Sequence, residues 1–250
     1  MNDHTLVYGL HAVEAVLRAP GRVRQVWLDA ARHDQRLRLL AEKLQQAGVA
    51  HSWVARERLD ELTHGARHQG AAARVRPAQG LHESDLEQLL VNLQEPAFLL
   101  VLDGIQDPHN LGACLRSADA AGVHAVIAPR DRACGLTPTV RKVAVGAAET
   151  TPFVQVTNLA RTLRMLRDAG VYIIGTAGET ETSLFQADLT GPLALVLGAE
   201  EKGLRRLTRE HCDQLVRIPM RGSVESLNVS VATGICLFEA LRQRIASPRE

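Results

Sequence analysis

The chain has no run of about 18 apolar residues, so no segment is long enough to cross the hydrocarbon core of a bilayer as a helix. Its start, Met1-Asn2-Asp3-His4, lacks a basic stretch leading into an apolar one, so no signal peptide is expected. Cysteine is scarce. Cys114, Cys134, Cys212 and Cys236 include no C-x-x-C pair, and three of the four lie in apolar segments that read as buried. Neither a metal site nor a disulfide framework is expected, and a reducing cytoplasm is the compartment that fits. No G-x-G-x-x-G is followed about 20 residues later by a ribose-binding acid, which argues against a nicotinamide oxidoreductase. The G-K-[ST] ending of a P-loop is missing as well. Internal repeats and low-complexity tracts are also missing.

Net charge is small too, at +1. Its distribution is uneven. Residues 1–80 hold 12 Lys/Arg against 8 Asp/Glu, a net +4, and six of the ten histidines. Residues 81–97 hold four acids and no base, and residues 98–250 hold 17 bases against 16 acids. The basic excess marks the N-terminal end as the side that would meet a polyanion.

What is present is an alternation of short strands and helices. Val23–Leu28 reads as a strand. Residues 34–47 read as a helix with Leu37, Leu40, Ala41 and Leu44 on one stripe and Gly48 as its stop. Ala50–Ala55 and Ala71–Arg76 read as further strands, so residues 1–76 form a small α/β sandwich with its own core. Residues 77–97 read as an acidic linker, with a short helix from Ser84 capped by Ser84 and Glu87. From Phe98 the pattern becomes that of a parallel sheet covered by helices on both faces. Strands are expected at 98–102, 125–128, 153–156, 171–175, 193–198 and 215–218. Helices are expected near 111–121, 138–148, 158–169, 205–212 and 229–246.

Three segments carry more than fold. Asp103–Arg116 runs from a buried strand into a helix, with Asp107 as cap and Pro108 at its first position; that accounts for neither Asn110 nor Arg116. Leu195–Gly203 is a strand leading into a glycine-bearing loop, where backbone can approach a ligand closely. Ile218–Ser230 is a polar loop ahead of the last helix, longer than one cap requires, in which both Ser226 and Asn228 could cap.

In this order the three segments resemble the motifs of the SpoU branch of the SPOUT methyltransferases. They stand here as Asn110-Leu-Gly-Ala-Cys-Leu-Arg116, Leu197-Gly-Ala-Glu-Glu-Lys-Gly203 and Ser226-Leu-Asn-Val-Ser-Val-Ala232. Tyr8-Gly-Leu-His-Ala-Val13 and His68-Gln-Gly70 resemble the substrate-binding domain of family members that act on ribosomal RNA, a domain of L30e-like type. The stretch 107–126 is especially similar to members that methylate a guanosine of the peptidyl-tRNA loop of 23S rRNA.

The resemblance implies a trefoil-knotted α/β domain over 98–250, although threaded chains are essentially absent elsewhere. It implies S-adenosylmethionine as methyl donor and a ribose 2′-hydroxyl of 23S ribosomal RNA as acceptor. Asn110, Arg116, Glu200, Ser226 and Asn228 would be the catalytic set. Thr176, Ala177, Gly178, Leu197, Gly198, Gly203, Ile218, Met220, Ser226 and Leu227 would bind the donor. Arg116 is the family's candidate for the base or for fixing ribose and phosphate. Because a guanidinium stays protonated, a positioning role suits it better. Active sites of the family form at a homodimer interface. The stripe Val231, Ile235, Phe238, Leu241 and Ile245, widened by Cys236 and Ala240, would supply it. Two family rivals remain at this point, a transfer-RNA ribose methyltransferase and an antibiotic-resistance rRNA methylase. The N-terminal domain argues against the first only. A non-catalytic ribosome-binding protein is argued against by the intact motif residues.

Overall fold

The computed structural model describes residues 4–17, 21–32, 34–76, 80–199 and 203–246. They fall into two compact units, Met1–Gln79 with Val145–Thr150, and Gly80–Ala144 with Thr151–Glu250.

The first unit runs β1 (Thr5–Tyr8), α1 (Leu10–Leu17), β2 (Val23–Asp29), α2 (Gln35–Gln46), β3 (His51–Val54), α3 (Arg56–Thr63) and β4 (Ala71–Val75). Its sheet has the order β1-β4-β2-β3, with β3 parallel to β2 and the other pairs antiparallel. The period-2 alternation of strand side chains builds both faces. Val26, Leu28, Ala71, Ala73 and Val75 meet Val13 and Val16 of α1 and the Leu37, Leu40 and Leu44 stripe of α2. Trp27 and Ala72 point the other way, onto Leu59 of α3. Asp34 caps α2 by accepting from the Arg36 and Leu37 N–H groups at 3.1 and 3.2 Å.

The second unit opens with α4 (Glu83–Asn92), followed by β5 (Phe98–Asp103), α5 (Pro108–Ala121), β6 (Ala125–Pro129) and α6 (Pro138–Ala144). The turn of helix α7 (Ala147–Thr150) groups with the first unit. The second unit resumes with β7 (Phe153–Val156), α8 (Leu159–Asp168), β8 (Tyr172–Thr176), β9 (Leu193–Gly198), α9 (Arg206–Glu210), β10 (Gln214–Val216) and α10 (Val229–Ala246). All six strands are parallel, in the order β10-β8-β9-β5-β6-β7. The chain leaves β5 toward β6 and β7, then crosses to the far side and inserts β9 between β8 and β5. The β5/β9 boundary is therefore where successive connections diverge, and the crevice beyond its carboxyl ends is the natural ligand site. Leu99, Val101, Ile127, Val154 and Val196 pack on one face against Leu159, Leu163 and Leu166 of α8. The C-terminal end of α10 is fixed by Arg244. Its guanidinium lies 4.5 Å from the Phe98 ring centroid and donates to the Leu189 and Ala97 carbonyls at 3.2 and 3.1 Å.

Several expectations change. The acidic stretch is no free linker from Gly80 on. Leu81 bonds through its backbone to Phe153 and Gln155, and Leu86 is fully buried in the second unit's core, with Leu89 and Leu90 packed beside it. Pro77, Ala78 and Gln79 lie outside the described residues. Helix α4 is capped at His82, whose N–H donates to Asp85 at 2.8 Å, and not by Ser84 and Glu87. The helix expected over 138–148 breaks because Val145 and Gly146 both take left-handed backbone, with φ of 50° and 93°. The last strand ends at Val216, leaving Ile218 in a loop. Cys114 and Cys236 are buried, but Cys134 and Cys212 are only partly so, making two buried thiols and not three. Burial still pushes the Cys212 and Cys236 thiols up to about 12, so both stay protonated at neutral pH. Cys236 and Ala240 also face inward with Val229, Thr233 and Leu237, whereas Val231, Phe238 and Ile245 are exposed. Helix α10 thus has two apolar faces where one was expected.

Candidate active site

The three chemical segments converge at the carboxyl ends of the second unit's strands. Helix α5 starts as its residues dictate. Asp107 accepts from the His109 N–H at 2.8 Å, and Pro108 occupies the first turn, where a missing N–H is harmless. Gly112 lets α5 lie against α6, since a Cβ there would sit 2.7 Å from the Val143 Cβ. At the start of α10 the cap is Asn228, whose Oδ1 accepts from the Ser230 N–H at 3.0 Å. The same side chain uses its Nδ2 to donate to Asn110 Oδ1 at 3.0 Å, which ties the first motif to the third. Ser226, the other cap candidate, is exposed.

Between them, the two described ends of the middle segment, Ala199 and Gly203, form an isolated β-bridge. The Gly203 N–H donates to the Ala199 carbonyl at 2.8 Å, and Gly203 has φ +57°. A Cβ on Gly198 would lie 2.1 Å from the Gly203 carbonyl carbon, so only glycine fits. Beyond the loop, Arg205 clamps the end of β5. Its backbone N–H and its Nε both donate to the fully buried Asp103 carboxylate, at 2.9 and 2.5 Å. A carboxylate in that position is tolerable only while paired.

These loops enclose a cavity of about 550 Å³. Its lining holds Thr176, Ala177 and Gly178 from the end of β8, and Leu197, Gly198 and Gly203 from the middle motif. Ile218, Met220, Ser226 and Leu227 come from the loop before α10. A second cavity of about 490 Å³ adjoins it through Ala199, Gly203 and Val229, and is walled by Asp103, Asn110, Arg132 and Arg205. Two neighbouring cavities at one strand-end crevice suit a two-substrate transfer.

The SpoU rRNA methylase family model matches residues 97–238. The chain belongs to this family. A second model, for RNA 2′-O ribose methyltransferase substrate binding, matches residues 6–81. The chain is 59% identical over 240 residues to the 23S rRNA (guanosine-2′-O-)-methyltransferase RlmB of Escherichia coli (strain K12), covering 96% of this chain and 98% of that one. It is 57% identical over 246 residues to the protein of the same description from Vibrio vulnificus (strain CMCP6), covering 98% and 99%. Among solved structures, the SpoU methyltransferase AviRb from Streptomyces viridochromogenes in complex with AdoMet matches with a TM-score of 0.74 at 27% identity, over 98% of this chain and 92% of that one. An AdoMet-bound rRNA methyltransferase from Sinorhizobium meliloti matches with a TM-score of 0.73 at 25% identity, over 96% and 87%.

Measured against the SpoU motifs, the donor-binding candidates all line the larger cavity, and Asn110 and Asn228 are in contact at the crevice. Glu200 lies outside the described residues. Arg116 stands apart. It is exposed, lines neither cavity, and makes no hydrogen bond or ion pair with any described residue. Helix α5 is regular from Pro108, so Asn110 and Arg116, six residues apart, project about 240° from one another. They do not converge within one chain.

Residues not singled out from the sequence also matter. Glu179, paired with Arg209, and the exposed Arg217 line the larger cavity, beside Glu225 of the polar loop already noted before α10. The signal for Asp103 was available, as the only acid ending an otherwise apolar strand, Phe98-Leu-Leu-Val-Leu-Asp103. Among the described residues no group of three or more His, Cys, Asp and Glu side chains could hold a metal ion. No helix among them is long and apolar enough to cross a membrane.

Proposed function

We propose that this chain transfers a methyl group from S-adenosylmethionine to the ribose 2′-hydroxyl of a guanosine in the peptidyl-tRNA loop of 23S ribosomal RNA. The observation that carries the reading is the single cavity lined by all ten donor-binding candidates, in a chain 59% identical to a 23S rRNA guanosine 2′-O-methyltransferase. The cavity fits the donor's chemistry. Leu197, Ile218, Met220 and Leu227 offer apolar walls to a purine, and Arg217 and Glu225 complement the two charges of an amino-acid end.

Bound S-adenosylmethionine supplies a methyl group on a sulfonium, whose neutral thioether leaves without needing an acid. The chain's own task is then to hold the ribose hydroxyl in line and stabilise its loss of a proton. In this reading Asn110, which lines the adjoining cavity, and Asn228, bonded to it, orient the ribose, and Ser226 and Glu200 complete the set. Arg116 grips phosphate and ribose through its planar guanidinium fork. Since it lines neither cavity of its own chain, we take the working unit to be a homodimer, with Arg116 serving the shared site. The exposed stripe of α10 supports that assembly. In this reading residues 1–76 bind RNA and residues 98–250 form the knotted transferase, and the protein works in the cytoplasm.

The test is methylation of 23S rRNA with isotopically labelled donor, followed by mapping of the product. Label on the ribose of one guanosine is expected. Label on a base, or on transfer RNA alone, would overturn the reading.

A further inference from the structure

The first unit contains a cleft of about 450 Å³ that the donor and acceptor sites do not use. It lies where the starts of α2 and α3 face the turn before β4. Arg36, Arg56 and Arg67, from three separate segments, all line it. Their guanidinium groups have no hydrogen bond or ion pair with any described residue. Two acids, Asp29 and Asp60, share the lining with four arginines, Arg32 included, so positive charge is in excess there without being unopposed. Asp29 accepts from the Ala31 N–H at 3.0 Å, Asp34 pairs with Arg32 and caps α2, and Asp60 is held by His68. The excess of arginine over aspartate attracts an anion into the cleft.

The floor of the cleft is rigid. The Gly70 N–H donates to His68 Nδ1 at 3.1 Å, which leaves the proton on Nε2 to donate to Asp60 Oδ1 at 3.0 Å. His68 is buried, and this pair fixes its tautomer. The arrangement forces Gln69 into left-handed backbone, with φ +52°, although it is not glycine. Arg32 holds the strained turn by donating from Nη1 to the Gln69 carbonyl at 2.6 Å. The exposed Gln69 amide, which lines the cleft, has no hydrogen bond to a described residue. A strained, braced residue presenting an unused donor and acceptor beside an arginine-rich lining fits a ligand with both an anion and a hydrogen-bonding edge.

We infer that this cleft takes one unstacked nucleotide of the RNA substrate, its phosphate on Arg36, Arg56 and Arg67 and its base edge on Gln69. The inference rests on the reading of the first unit as the RNA-binding part. Guanidinium forks match phosphate oxygens, and a side-chain amide matches the paired donor and acceptor of a base edge. The cleft volume lies in the range of sites for small ligands, which suits a single nucleotide and not a duplex.

The test compares Gln69→Gly, Arg56→Ala and Arg67→Ala with the unaltered full-length chain. Binding of a single-stranded 23S rRNA fragment is followed by fluorescence anisotropy across a salt series. S-adenosylhomocysteine affinity and Tm are measured in parallel. Each arginine variant should weaken RNA binding and lower the log–log salt slope by about 0.7, the value for one single-strand phosphate contact. Gln69→Gly should weaken binding about tenfold with the slope unchanged. Its Tm should hold or rise, because glycine accepts the left-handed backbone without strain. Photo-crosslinking with 4-thiouridine RNA should map to the 64–70 turn. Wild-type RNA affinity in all three variants, or crosslinks confined to other segments, would overturn the inference. So would a free mononucleotide that binds as tightly as the fragment, which would make the cleft an effector site. Donor affinity separates the failures, since an error in the catalytic reading alters that measurement and leaves the RNA arm intact.

Discussion

Arg116 is exposed on α5 with no partner among the described residues, so its removal leaves no buried group unsatisfied. Arg116→Ala should therefore unfold at the same temperature as the parent. If it positions the acceptor, turnover should fall at least about 100-fold, the lower scale for a positioned catalytic group, while S-adenosylhomocysteine binding changes little. Arg116→Lys keeps the charge and loses the planar fork, and should fail nearly as badly if geometry decides. Steady-state methyl transfer with calorimetric donor binding reads both variants. Normal turnover in the alanine variant would take Arg116 out of the mechanism, and normal turnover in the lysine variant would reduce its part to charge alone.

Two helices give predictions at the next scale. Helix α4 is tied to the end of β7 by Glu83, whose Oε1 accepts from the Thr157 N–H at 2.6 Å. That backbone hydrogen bond holds the Glu83 carboxyl below its usual value of 4.5. A lowered value in the folded state means the unfolded chain binds the proton more readily. The stabilisation is thus fully present above about pH 4.5 and is lost as pH falls through the lowered value. Glu83→Gln should be less stable than the parent at neutral pH, and the gap in denaturant midpoint should close in acid. A gap independent of pH would mean the hydrogen bond stabilises without linkage to the proton. Helix α10 carries an exposed stripe around Val231, Phe238 and Ile245 on the side away from its buried Cys236, Leu237 and Ala240. A buried phenylalanine side chain is worth about 1.5–3 kcal/mol. A two-fold interface counts it twice, so Phe238→Glu should raise the dimer dissociation constant by at least about 100-fold. Light scattering after size exclusion checks this, and a dimer that survives would move the interface elsewhere.

For the whole molecule, the division between the units sets where a truncation can be made. A chain starting at Gly80 keeps α4, with Leu86 seated in the second unit's core. One starting at residue 97 loses that layer, and deleting even a single buried leucine costs about 2–5 kcal/mol. The chain from Gly80 should keep its donor affinity. Its RNA binding should weaken and become less salt-dependent, losing about 0.7 to 0.9 of the log–log slope for each phosphate contact removed. Unchanged RNA affinity in that chain would refute the division of labour. The chain from residue 97 should unfold at a markedly lower temperature, which differential scanning calorimetry would register.

Within a few residues, the sequence alone determined much of this protein. The continuous apolar runs of β5 and β9, the Leu37, Leu40 and Leu44 stripe, the Asp107–Pro108 helix start and the order of three short motifs are all local patterns. Backbone geometry imposes them wherever they occur. The tertiary structure decided what those patterns touch. Strand order brings Thr176, Leu197 and Leu227 to one cavity, and no periodicity records that β9 inserts between β8 and β5. The same holds for Leu86, whose acidic neighbours resemble a linker until a core receives it, and for α10, where apolar residues on two faces are indistinguishable until one face is covered. Glycine shows the difference most sharply. Gly112 and Gly198 read as motif letters, but what requires them is backbone and side chain approaching from residues 143 and 203. Such steric demands arise between segments distant along the chain, so they exist only once the fold has brought those segments together.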